Sequence, residues 1–109
     1  MILPMLALLA ADAPSLEQAR TCQAHMEIMI QEAARDGGHV AGPTWFIRDW
    51  WRLKAIEAGA PEDDGTELAA ATAVLGVMSV TEPKQFSAGR QACVDIAVEA
   101  GAVPGMGPA

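Results

Sequence analysis

From Leu16 onward the apolar positions Leu16, Ala19, Cys22, Met26, Met29 and Ala33 recur at spacings of three and four, until Gly37-Gly38 interrupts the run. That period is one face of an α-helix, and Ser15 followed by Gln18 supplies a capping-box pattern at its start. After a loop holding His39 and Gly42-Pro43, Thr44 is placed to cap a second helix. That helix carries Phe46, Trp50 and Leu53 on one side and ends at Gly59-Ala60-Pro61. Glu62, Asp63, Asp64 and Gly65 read as a solvated turn. Thr66 then starts a third helix with the stripe Leu68, Ala71, Leu75 and Met78, whose Val-rich end from Val74 to Val80 is prone to fray toward extended structure. Thr81-Glu82-Pro83 opens a fourth, in which Phe86, Gly89, Cys93, Ile96 and Ala100 keep the three-four spacing up to Gly101. Residues 102–109, with Pro104, Gly105, Gly107 and Pro108, read as a flexible tail.

The predicted fold is all-α, a small four-helix array formed by residues 14–101 as one domain. Cys22 and Cys93 both fall on the apolar stripes of their helices, so a bridge between them would join the N- and C-terminal helices inside the core. They are not spaced as a CxxC redox or zinc pair. The loop they would close, about 70 residues, is worth about 4 kcal/mol by chain entropy.

The start of the chain decides the compartment in which that bridge could form. Residues 1–11 are almost wholly apolar and lead to Ala11-Asp12-Ala13, a small-x-small pattern ahead of Pro14. Residues 1–13 therefore read as a secretory signal peptide and the chain as periplasmic or secreted, where a disulfide persists. The run has no Lys or Arg before it and is short for a signal; the alternative is an apolar helix packed on the domain or a partner, with two free thiols in a reducing compartment. It is too short for a membrane span.

Charge narrows the function classes. The 109 residues carry 7 basic and 14 acidic side chains, a net charge of -7, and no Lys/Arg stripe long enough to neutralise several phosphates, which argues against nucleic-acid binding. With 51% hydrophobic residues the chain can collapse, so disorder is not expected.

The most unusual segment is the helix over residues 44–58, which holds all three tryptophans and three of the seven basic residues. At about 100° per residue Trp45 and Trp51 flank the Phe46–Trp50–Leu53 face on opposite sides. Trp45, Arg48, Trp51, Arg52 and Lys54 are therefore the candidate binding residues, because Trp and Arg are enriched at binding hot spots and at membrane headgroups. Trp51, beside Ile47 and Lys54, is expected to be partly wet. The competing reading is that this is simply the central helix of a bundle, touched on several sides.

Elsewhere the candidate chemistry is thin. His25, Met26 and Met29 near Cys22 are the residue types of a Met/His copper site, against which stands ordinary packing of Met26 and Met29 with His25 partly exposed. Ser15, Ser79 and Ser87 lack a nucleophile-elbow context, there is no Tyr, and oxidised cysteines leave no thiol nucleophile. No catalytic residues, metal or cofactor are expected. The sequence thus points to an exported helical interaction module with a protein partner in the cell envelope, a membrane surface being less favoured. In size, export and a single disulfide between helices the chain resembles periplasmic acid-stress chaperones and small secreted immunity proteins. An acid-stress chaperone-like protein and a copper binder are the alternatives.

Overall fold

A computed structural model of the chain describes residues 13–107, so the apolar segment read as a signal peptide lies, apart from Ala13, outside the described residues. Those residues form four helices: α1 (Leu16–Arg35), α2 (Gly42–Glu57), α3 (Gly65–Thr81) and α4 (Pro83–Glu99). Local chemistry explains most of the boundaries. The Ser15 hydroxyl accepts a hydrogen bond from the Gln18 N–H at 3.0 Å, satisfying one of the donors a helix start leaves open. At the other end of α1, Gly37 takes a positive φ of 72°, and the next N–H, of Gly38, reaches back to the Ala33 carbonyl at 3.0 Å. Gly101 closes α4 in the same way, with Ala102 N–H donating to Ala97.

Three starts differ from expectation. α2 begins at Gly42 with Pro43 in its first turn, which puts Thr44 inside the helix, where it is buried. The N-cap position of α3 is Asp64, not Thr66, and its carboxylate does not cap. Both of its oxygens are taken by Arg20 of α1, Nε at 2.8 Å and Nη2 at 3.1 Å, so this part of the acidic turn is a tether and not a solvated end. Thr81 is the last residue of α3, which stays helical through its valines; Glu82 alone separates it from Pro83 of α4.

α1 is central and packs against the other three helices, α4 against all of its neighbours, while α2 and α3 do not touch. Two core clusters result. Between α1, α2 and α4 lie Ala19, Cys22, Met26, Ile47, Trp51, Ala55, Cys93 and Ala97; between α1, α3 and α4 lie Ala24, Leu75 and Phe86. Being sandwiched, α1 buries five consecutive residues from Cys22 to Met26, which a single stripe would not. The disulfide between Cys22 and Cys93, with Cα atoms 5.3 Å apart, joins the first helix to the last, and the all-α array holds as expected.

Two stripes shifted. α4 buries Phe86, Cys93 and Ala97, leaving Ile96 and Ala100 exposed. The segment after α4 is not a free tail: Val103 is buried in the first cluster and Ala102 packs against it. The Gly101 turn sends the chain back over the bundle instead of away from it.

Candidate functional site on the tryptophan-rich helix

α2 carries two overlapping apolar stripes, and the structure buries the other one. Thr44, Ile47, Trp51 and Ala55 face the core, while Phe46 and Leu53 are 49% and 51% exposed and Trp50 is half-buried. Trp51, expected to be partly wet, is fully buried, with its ring edge-on to Trp50 at 4.8 Å between centroids. The reason is polar as well as apolar. In this orientation the Trp51 indole N–H donates to the Cys93 carbonyl at 3.0 Å, whereas a buried indole without such a partner would be penalised. Trp51 therefore leaves the set of surface candidates. Phe46 and Leu53, read as core, join it.

Two of the remaining candidates are in contact. Trp45 is 40% exposed, with the Arg48 guanidinium 5.1 Å from its ring centre. That distance is within cation–π range. Arg48 also bonds Asp49 at 2.7 Å and Glu27 of α1 at 3.2 Å. Burial works to lower its pKa, but the two carboxylates outweigh it and hold the guanidinium above its usual value. Arg48 is thus a fixed cation that steadies an indole. Arg52, one turn on, is exposed and has no ion pair among the described residues; it stands at the rim of a cavity of about 150 Å³ lined by Gln23, Ile56 and Asp63. Lys54 points elsewhere: its ammonium lies 5.1 Å from the Trp50 ring centre and 3.1 Å from Glu57, on the side toward Pro14 and Ile96.

The outward face of α2 is therefore Trp45, Phe46, Asp49, Arg52 and Leu53, flanked by Arg48. Searches against family models, curated proteins and solved structures find no match. The face has to be read from its own chemistry. It combines three large apolar side chains with two cations in a chain whose Phe and Trp total only five, and two of those five are exposed here.

The other candidates separate in space. His25 is buried, not partly exposed; its ring lies 5.0 Å from Phe86 and its Nδ1 has no hydrogen-bond partner among the described residues. A Cβ on Gly89 would sit 3.2 Å from its Nε2, so the glycine is what lets α4 approach. Burial, and then the nearby Arg90, pushes the His25 pKa down to about 4. Arg90 itself lies over the Phe86 ring at 4.8 Å and pairs with Glu32 at 3.2 Å, without the alignment of a hydrogen bond. Met26 belongs to the first cluster while His25 stacks on Phe86 beside the second, and Cys22 is in the disulfide, so the copper-type residues do not converge. Among the described residues no group of three or more His, Cys, Asp and Glu could hold a metal ion, and no helix is long and apolar enough to cross a membrane. Ser15 is a helix cap and the Ser79 hydroxyl bonds the Gly76 carbonyl; His39 is exposed in its loop.

Proposed function

We propose that the chain is a small exported interaction module without catalysis of its own, which contacts a protein partner of the cell envelope through the outward face of α2. The observation that carries this reading is the exposure of Trp45, Phe46 and Leu53 on one helix, with Arg48 and Arg52 beside them. Aromatic and guanidinium groups together are the composition of binding hot spots, and an indole already steadied by Arg48 loses little freedom on binding. Export is supported by the interhelical disulfide, which an oxidising compartment sustains. The test is capture from an envelope extract with the oxidised chain and with the Trp45→Ala/Leu53→Ala variant in parallel. One stoichiometric partner held by the native chain and lost by the folded variant supports the reading; the same proteins on both overturns it.

A specific observation favours a second reading, an acid-responsive chaperone-like protein. His25 sits buried and neutral between α1 and α4, with the Arg90 cation nearby, so protonation would place a charge at the contact of Phe86 and Gly89. The disulfide would keep the opened chain compact. Under that reading apolar dye binding and protection of an aggregating client both rise below about pH 4. Unchanged dye binding and no protection down to about pH 2 would remove it.

A further inference from the structure

We propose that α3 is a self-association surface, through which the chain forms a weak, reversible dimer with a second copy of itself; this does not depend on the reading of α2. From Leu68 to Thr81 the helix has no charged residue, yet among the described helices it packs on α1 and α4 only, and Val74, Val77 and Val80 stand 64%, 64% and 81% exposed. A helix apolar on all sides is ordinarily enclosed on all sides. Here one side, that of Ala73, Val77 and Val80, is open among the described residues.

The open side has the form of a helix-pairing seam. Ala69, Ala73, Gly76 and Val80, all exposed, follow a four-three-four spacing, flanked by Ala70, Val74 and Val77. Gly76 is the informative member. Glycine weakens a helix interior, and a Cβ at this position would meet nothing within 4 Å, so no contact among the described residues requires its absence. Close approach of a second helix does require it.

Charge and area choose the occupant. The molecule carries a net charge of -7, and every other helix bears both acids and bases; the α3 face is where two acidic copies can meet without like charges in contact. In an antiparallel pair, Glu67 at the start of one α3 faces the turn at the end of the other, where Glu82 and Lys84 leave no net charge. A lipid surface would call for basic residues, which this face lacks. The helix has 17 residues and is about 25 Å long at about 1.5 Å per residue, so half the lateral surface of a cylinder about 10 Å in diameter is on the order of 400 Å² per copy. About 800 Å² in total is below the roughly 1,200 Å² where stable interfaces begin, which sets the expectation of a weak dimer.

Sedimentation of the full oxidised chain from about 5 μM to 1 mM tests this. The expected result is a mass rising from 11.4 kDa toward twice that value with concentration. Val77→Glu should weaken association at least tenfold without changing the melting of dilute protein. Gly76→Leu should do the same while raising the melting temperature of the monomer, since it adds helix propensity and blocks the seam. A monomer at 1 mM overturns the proposal, leaving residues 1–12 of the chain or an unlike protein as the cover. So does a dimer that both variants leave intact, or one lost on Leu53→Glu instead.

Discussion

Replacing Trp51 by alanine perturbs the account where sequence and structure part most sharply. The side chain is fully buried among α1, α2 and α4, and its N–H donates to the Cys93 carbonyl next to the disulfide. Emptying a buried aromatic site costs about 3–5 kcal/mol, and the lost hydrogen bond contributes about 1 kcal/mol of that. A domain of this length holds about 5–15 kcal/mol in total, so the variant should lose about a fifth of its stability or more. Trp50, half-buried against Trp51 and Lys54, should cost no more than about 2 kcal/mol when cut to alanine. Trp51→Phe keeps a six-membered ring in the core but loses the donor and the pyrrole ring that carries it, so its cost should fall between none and that of alanine. The assay is urea unfolding followed by far-UV circular dichroism, because each variant removes one of the three tryptophans that report by fluorescence. Equal losses for Trp50→Ala and Trp51→Ala, or a larger one for Trp50→Ala, would refute the assignment of the core face.

Other outcomes follow from the same contacts. Reducing the Cys22–Cys93 bond, which spans 71 residues, should lower stability by about 4 kcal/mol, read as a shift of the urea midpoint with and without reductant. Asp64→Asn should cost about 1–2 kcal/mol and speed amide exchange in the first turn of α3, because it breaks a two-pronged, mostly buried pair with Arg20. The His25 pKa of about 4 lies below the ordinary 6.5, so the unfolded chain binds the proton first. Stability should therefore fall as pH drops from about 6.5 to 4, by up to about 3 kcal/mol, and this part of the slope should vanish in His25→Gln; unfolding midpoints at each pH read it.

Much of the fold was legible because caps and periodicity act locally. Ser15, Pro83 and Gly101 mark helix ends by chemistry that needs no neighbour, and the α1 stripe from Ala19 to Met26 led to the correct cysteine pair. What was not legible depended on partners. In α2 the Phe46–Trp50–Leu53 and Ile47–Trp51–Ala55 stripes are equally periodic, and the choice between them rests on a carbonyl 42 residues away. Thr44 in register with Ile47 was the available signal, a small polar group tolerable in either place. Asp64 looked like the end of an acidic run until Arg20, 44 residues earlier, took both its oxygens. The burial of His25 follows from α1 being covered on two sides, and one helix's pattern does not record how many neighbours it has.

The most direct test of the α2 contact surface is site-specific photocrosslinking in the living host, with a photoreactive amino acid placed at Leu53 in one strain and at Ala55 in another. Leu53 points outward beside Arg52 and Phe46, and Ala55 faces the core. The account predicts one discrete adduct of defined mass from position 53, reduced when Trp45 is changed to alanine, and none from position 55. No adduct from position 53, or one that persists unchanged without Trp45, would contradict it.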